Sequence, residues 1–213
     1  MFREHVGIDY SGAGAPDAGC SGLRVYRSAD GSIDHCFSLP KAWLDRRCLG
    51  TWDHFLADFA ARWPTDRRAV AACRTARAYE AERARLRLCE RWTSSAKSVF
   101  QFGMNGQVAT SSHAGIPWLR WLRARLGPSV HFWPFDGWRV AGDRHVVAEV
   151  YPSIFRNRFP RAARTADQQD AFAVAEWLRT RDAAGLLAAY FEPPLTPEER
   201  HVAAVEGWIL GLL

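Results

Sequence analysis

The chain has 213 residues, 48% hydrophobic and 24% charged, a composition that excludes a disordered chain and allows one domain with a substantial core. The formal net charge of +5 permits a phosphate-rich partner, although the heavy use of arginine could equally reflect genome composition. No stretch is apolar enough for a membrane span, and the charges at Arg3 and Glu4 lead us to expect no secretory leader.

The first predicted elements are short strands. Residues 5–9 form an apolar run that ends in a glycine-rich turn, residues 22–26 alternate as a second strand, and a third strand ends at Asp34. Asp9 and Asp34 therefore each follow a strand, where side chains project from the rim of an α/β sheet and often bind ligands. Each could instead cap its own turn.

A helical section is predicted next. Thr51 is placed to cap a helix over residues 51–63. Residues 66–92 are rich in alanine, arginine and glutamate and predict a long exposed helix, in which Arg87 and Glu90 are at pairing distance.

Residues 117–126 predict a shorter helix, and with it we interpret about 41–128 as a helical insertion between sheet elements. Its apolar side is formed by Trp118, Trp121, Leu122 and Leu126. The aromatic segment 132–138 could stack on nucleobases, but we favour a place in the core. Arginines that could follow phosphates, or simply face solvent, are Arg120, Arg123 and Arg125, with Arg83, Arg87 and Arg91.

The last part combines a strand and a helix. Glu149 interrupts the apolar strand 146–151, and a buried carboxylate there needs a compensating partner unless it faces solvent. Residues 165–180 predict a helix that begins with a capping box. The helix dipole accounts for Asp167 in its first turn, whereas Asp170 lies on the apolar face and should point toward the sheet.

Four carboxylates are candidates for one site: Asp9, Asp34, Glu149 and Asp170. Converging carboxylates repel one another unless a cation neutralises them, and oxygen ligands favour Mg²⁺ or Mn²⁺. Two such ions can activate a water molecule and stabilise the leaving oxygen of a phosphodiester. The constellation predicts a metal-dependent nuclease that acts on DNA or RNA.

Six segments, in their order along the chain, resemble a family of uncharacterised bacterial and archaeal proteins thought to be RNase H-like nucleases. The segments are 6–13, 33–40, 96–100, 148–152, 167–171 and 206–209. The resemblance implies an RNase H-like α/β fold, with a mixed central sheet flanked by helices. It also implies that the four carboxylates bind the metal and catalyse the reaction, and that Lys97 and Ser11 contact the substrate.

One departure from that family concerns the sheet. The RNase H-like plan has another strand and a helix between its second strand and the strand that ends at Asp34, and residues 27–31 are too few to form them. We therefore expect a shortened sheet with an exposed edge, where a protein partner or a second copy could pair.

Two other functions stay open. The chain could be a non-catalytic interaction module that uses this exposed edge. Residues 7–12 also resemble the first phosphate loop of actin-like and sugar-kinase-like nucleotide-binding proteins, although no second lobe is recognisable. The five cysteines are odd in number and never spaced as Cys-x-x-Cys, so we expect reduced thiols in a cytoplasmic protein.

Overall fold

The structure is a computed structural model that describes the greater part of the chain. The described residues are Phe2, 5–9, 24–27, 32–34, 36–64, 84–93, 95–101 and 108–213. For residues 6–9, 24–27 and 32–34 the description covers the backbone and its pairing. Short strands alternate with helices, and the fold is α/β, as the order of elements in the sequence predicts.

The strands form one mixed sheet. They are β1 (Val6–Asp9), β2 (Arg24–Arg27), β3 (Ser32–Asp34), β4 (Val130–Trp133), β5 (His145–Val150) and β6 (Ile209–Leu210). Their order is β2-β1-β3-β5-β4, and β6 also pairs with β5. Only the β1–β2 pair is antiparallel among these, so the carboxyl ends of β1, β3 and β5 share one edge of the sheet.

Helices surround this sheet. They are α1 (Lys41–Asp45), α2 (Trp52–Arg62), α3 (Leu88–Arg91), α4 (Val108–Leu126), α5 (Ala166–Ala183), α6 (Leu187–Tyr190) and α7 (Pro197–Glu206). Short 3₁₀ turns follow α4 and β5, at Gly127–Ser129, Pro152–Ile154 and Arg156–Arg158. Within the described residues, none of the helices combines the length and the hydropathy that crossing a membrane requires.

Two helices begin where the capping residues predict. The Thr51 hydroxyl accepts a hydrogen bond from the backbone N–H of His54 at 3.2 Å, so α2 starts at the expected residue. At α5, Thr165 and Gln168 form the predicted capping box, with bonds of 3.3 and 3.0 Å. Both helices bury the apolar faces that their spacing predicts.

The core has two parts, one on each face of the sheet. The first holds Phe37, Trp52, Phe55, Phe59, Ile116 and Phe132, and the second holds Trp133, Val150, Phe155, Trp177 and Trp208. Neighbouring residues of β4 enter different parts because side chains alternate along a strand. The aromatic segment therefore lies mainly in the core, as predicted: both Phe132 and Trp133 are fully buried.

The long exposed helix predicted through residue 92 is wrong in the part that the structure describes. Residues 84–87 are not helical, and α3 comprises only Leu88–Arg91. Arg87 has an extended backbone, with φ −69° and ψ 164°, and its side chain is buried. Its guanidinium is buried because it pairs with buried carboxylates. A pattern of charge pairs between neighbours in the sequence does not reveal such a distant partner.

The orientation predicted for the helix at 117–126 is also wrong. Helix α4 begins much earlier, at Val108, and packs against α2. Its buried residues include Ser112, His113, Ile116 and Leu119, whereas Trp118 and Trp121 are exposed. The stripe that contacts α2 mixes small and polar residues with apolar ones, so the tryptophans dominate the sequence pattern without facing the core.

Candidate functional site

Two of the four predicted carboxylate residues lie side by side at the edge of the sheet. In the parallel pair β1–β3, the Cα atoms of Asp9 and Asp34 are partners in the register, and each residue is the last of its strand. The prediction that these aspartates are neighbours at the same rim is thus confirmed at the level of the backbone. Ser11 lies outside the described residues.

Glu149 lies on the next strand and is fully engaged by protein groups. Its register partner is Ile33, one residue before Asp34. Only 3% of Glu149 is exposed, and its carboxylate accepts hydrogen bonds from the Arg87 guanidinium at 2.8 and 2.5 Å and from the Phe37 N–H at 3.1 Å. It therefore has the compensating partner that an apolar strand demands, and its role as a metal ligand stays a prediction.

Arg87 organises a buried group that we call the Arg87 cluster, defined as Arg87, Glu90, Glu149 and Glu206. Glu90 accepts from Arg87 Nε at 2.8 Å and from its backbone N–H at 2.9 Å. Arg87 Nη1 also donates to the main-chain carbonyl of Glu206 at 3.1 Å. One guanidinium thus connects α3, β5 and the end of α7.

The Arg87 cluster holds three carboxylates and one cation, so backbone N–H groups donate the further hydrogen bonds that the carboxylates accept. The Glu206 carboxylate accepts from the N–H groups of Lys41 and Leu88, while burial raises its pKa. Burial likewise raises the pKa of the nearby thiols of Cys36 and Cys89, which therefore stay protonated at neutral pH. Together with Phe37 and its bond to Glu149, these contacts fix the loop that follows Asp34.

Asp170 lies on α5 and is held by an arginine from the segment after β5. Arg156 Nη1 approaches its two carboxylate oxygens at 3.4 and 3.2 Å. Burial raises the pKa of Asp170, and Arg156 opposes that shift. A half-buried carboxylate with a raised pKa releases its proton more readily when a cation binds beside it.

The direction of α5 brings its first half to the rim of the sheet. Asp182, near the end of α5, binds the Phe2 N–H at 2.7 Å and His5 Nε2 at 3.1 Å, just before β1. From His5 to Asp9, β1 rises about 13 Å, a height that a helix covers in about nine residues. Helix α5 packs on β1 and β2, and for a helix antiparallel to β1 this rise makes the end of β1 level with about residue 173, about one turn after Asp170.

Lys97, the predicted substrate contact, lies in a loop at the same end of β5. The hydroxyls of Ser95 and Tyr151 are 3.2 Å apart, and Ser98 Oγ donates to the Arg85 carbonyl at 2.6 Å. Tyr151 follows β5 directly, so these bonds hold the loop beside the carboxyl edge of the sheet. Lys97 itself is exposed and available to an anionic ligand.

Three of the candidate residues belong to strands whose carboxyl ends share one edge, and the fourth belongs to the helix that packs on β1 and β2. Among the side chains that the structure describes, which exclude those of Asp9 and Asp34, no three His, Cys, Asp or Glu residues are grouped to hold a metal ion. The described geometry brings the backbones of Asp9 and Asp34 together, with Glu149, which is paired with Arg87, on the next strand.

Sequence reasoning missed the role of Arg87. The available signal was Glu149 itself, because a carboxylate in an apolar strand demands a cation, and the chain has only two lysines. Arg87 lies between Leu86 and Leu88, in apolar surroundings that favour a buried partner.

Comparison with protein-family models, with curated proteins and with solved structures finds no match to this chain.

Proposed function

We propose that this chain is a metal-dependent nuclease with an RNase H-like fold, which hydrolyses phosphodiester bonds of DNA or RNA. The observation that carries the proposal is the register of Asp9 and Asp34 at the carboxyl ends of adjacent parallel strands. Ligand sites of open α/β sheets lie at such ends. Asp170, on the helix that packs along β1 and β2, is the proposed third oxygen ligand.

The strand arrangement supports the finer fold assignment. β1 has an antiparallel neighbour, β2, on one side and a parallel neighbour, β3, on the other, and β5 follows β3 in parallel. An RNase H-like sheet with its third strand deleted would have the order β2-β1-β3-β5, and the described sheet adds β4 and β6 beyond β5. We place the deletion at the free side of β2.

In the proposed reaction, Asp9, Asp34 and Asp170 hold Mg²⁺ or Mn²⁺. Such ions would supply an activated water molecule and stabilise the leaving oxygen, so that the bond from phosphorus to the leaving oxygen is exchanged for one to the water oxygen, and the proton lost by the water is balanced by protonation of the leaving oxygen. Lys97 and Ser11 bind the phosphate. Glu149 positions the loop after Asp34 through Phe37, and it would join the ligands only by leaving Arg87.

Metal binding is tested most directly by thermal unfolding with Mn²⁺. An ion that binds only the folded state raises the unfolding temperature by mass action. We expect that rise for the wild type and for the control Asp167→Asn, which alters the same helix one turn earlier, and its loss in Asp9→Asn and Asp170→Asn. An equal rise in all four proteins would contradict the site.

Cleavage is tested with labelled single-stranded and double-stranded DNA and RNA. We expect activity that requires Mg²⁺ or Mn²⁺, stops with EDTA, and falls by orders of magnitude in Asp9→Asn and Asp170→Asn. The control Asp45→Asn, at an exposed aspartate that pairs with Lys41 on α1, should retain it. Cleavage that persists in Asp9→Asn would rule out this mechanism.

The position of β2 favours a second candidate function, a non-catalytic interaction module. Among the described strands β2 is at the edge of the sheet, and edge strands present unpaired backbone groups to a partner. Light scattering across a range of concentrations tests for self-association, and Val25→Pro, which removes a backbone donor from β2, should abolish it. Metal-dependent cleavage by a strictly monomeric protein would favour the nuclease.

A further inference from the structure

The carboxyl-terminal part of helix α4 presents an aromatic surface to solvent. Trp118 and Trp121 are 44% and 54% exposed, and their rings meet edge to face with centroids 6.1 Å apart. The helix buries Ile116 and Leu119 instead. Two adjacent exposed indole rings leave a large apolar area in contact with water, which usually marks a binding surface.

The charge on this surface is of one sign. Helix α4 contains no acidic residue, and Arg120 and Arg125 are exposed. Arg125 lies four residues after Trp121 and seven after Trp118, so the three share a helix face. We call these three residues the Trp118 face. In the described part of the chain neither exposed arginine pairs with a carboxylate.

Arg123 differs from Arg120 and Arg125 because its guanidinium forms ion pairs with two carboxylates. It binds Asp53 at 2.6 Å and Asp136 at 2.7 Å on the side of the helix that faces α2. Among the described residues, the helix thus separates Arg123, which is paired, from Arg125, which lies beside the exposed tryptophans and has no carboxylate partner. A cationic surface with free aromatic rings complements a ligand that is both anionic and aromatic.

We propose that the Trp118 face binds single-stranded nucleic acid, whose bases stack on the two indoles while a phosphate binds Arg125. Unpaired bases offer free π-faces to aromatic side chains, and guanidinium groups hold the backbone. Bases in a duplex are stacked on each other and cannot reach the rings. The inference rests on the proposed nuclease function for the statement that this strand is the substrate.

A second copy of the chain fits this surface less well. In a symmetric dimer the same patch meets itself, so Arg125 of both copies would lie in one interface. Without an acidic residue on α4 to answer them, that contact would bring like charges together. The charge pattern therefore favours a polyanion over self-association.

The test measures binding without cleavage, by fluorescence anisotropy of labelled 15-residue oligodeoxythymidine and oligouridine in EDTA. We expect Trp118→Ala/Trp121→Ala to weaken binding by about tenfold or more for each ring removed. Arg125→Gln should reduce the slope of log affinity against log salt by about 0.7, the value for one lost phosphate contact. Unchanged unfolding temperatures would show that these exposed substitutions leave the fold intact.

The matched controls are Leu126→Ala, an exposed apolar residue on the same helix, and Arg139→Gln, an exposed arginine remote in sequence. Both should bind as the wild type does. Equal binding by the double tryptophan variant would overturn the proposal. The proposal would also be overturned if the wild type bound anionic lipid vesicles but no oligonucleotide, or if the wild type formed a dimer and the double variant did not.

Failure of this inference is distinguishable from failure of the proposed nuclease. Loss of binding in the double variant, together with no cleavage under any metal, would support the Trp118 face and reject the nuclease. Metal-dependent cleavage that Asp9→Asn abolishes and the tryptophan substitutions leave unchanged, with unchanged binding, would support the nuclease and reject the Trp118 face.

Discussion

Two arginines of this protein each bridge two carboxylates, yet they stand in opposite environments. The side chain of Arg87 is 0% exposed and binds Glu90 and Glu149, whereas that of Arg123 is 27% exposed and binds two aspartates. Both join segments that are distant in the sequence. The comparison shows that the same ion-pair geometry can be a condition for folding in one place and a minor contact in another.

Burial decides the difference. Removing one partner from a buried pair leaves an uncompensated charge away from water, which costs far more than the pair itself contributes. At the surface, water and salt screen the charges that remain, and exposed pairs contribute about 0 to 1 kcal/mol. Arg123 also stacks near the Trp52 ring, 5.2 Å from its centroid, so part of its contribution is packing.

The largest effect is expected for Arg87→Met. The substitution keeps much of the side-chain volume but leaves Glu90 and Glu149 buried without their cation, so the free energy of unfolding should fall by about 3 to 5 kcal/mol. Urea unfolding followed by circular dichroism measures it. Adding Glu149→Gln should restore part of the loss; a loss no larger than that of Arg123→Met would break the comparison.

The next effect concerns His113, a fully buried base on α4 that packs against Phe59 of α2. Burial lowers its pKa to about 4, against the weaker opposing effect of the Ala109 carbonyl. The unfolded chain therefore binds a proton below about pH 6.5 while the folded chain does not, so stability falls between that pH and about 4. With about 1.4 kcal/mol per pH unit, the loss reaches about 3 kcal/mol.

Urea unfolding at a series of pH values tests this, with His113→Gln as the comparison. The difference in unfolding free energy between the two proteins should shrink as the pH falls from 7 to 4. A difference independent of pH would show that His113 takes up its proton in the folded state.

A smaller effect is expected for Arg123→Met. It removes bonds to Asp53 and Asp136 that water partly screens, so the free energy of unfolding should fall by about 1 kcal/mol. Repeating the urea titration in about 1 M salt should reduce the loss further, because the Debye length is then about 3 Å. A salt-independent loss would assign the contribution of Arg123 to packing.

The smallest effect belongs to Asp136. Burial raises its pKa, but the Arg123 guanidinium and the Phe132 N–H overcome this and hold the pKa below its ordinary value. A carboxylate whose pKa is lower in the folded state stabilises the fold at pH values above its pKa in the unfolded state. That contribution is lost as the pH falls through its pKa in the folded state. Asp136→Asn should therefore cost under about 1 kcal/mol at pH 6 and progressively less below about pH 4, measured by thermal unfolding.

The sequence predicts the features that depend on local rules. Thr51 and Thr165 cap their helices because a hydroxyl and its N–H partner are three residues apart, and the strands ending at Asp9 and Asp34 follow from apolar runs before turns. The same strand pattern placed both aspartates at one rim. These predictions need only neighbours in the chain.

Features that depend on distant partners escaped prediction. Arg87 leaves the expected helix because Glu149, 62 residues away, binds its guanidinium. Trp118 and Trp121 turn outward because α2 packs against the opposite side of α4, where Phe59 and His113 lie 5.2 Å apart. A stripe of apolar residues shows which side chains are candidates for burial. The position of the neighbouring helix determines which of them are buried.

The Arg87 cluster also has a consequence for the order in which the protein assembles during synthesis. The carbonyl and carboxylate of Glu206 receive hydrogen bonds from Arg87, Lys41 and Leu88, so the cluster is incomplete while the ribosome has yet to release α7. Domains emerge amino terminus first, at about 5 to 20 residues per second. We therefore expect nascent chains that end before α7 to keep Arg87 hydrated and the loop after Asp34 without a fixed conformation, and the rim to acquire its final form only once α7 has emerged.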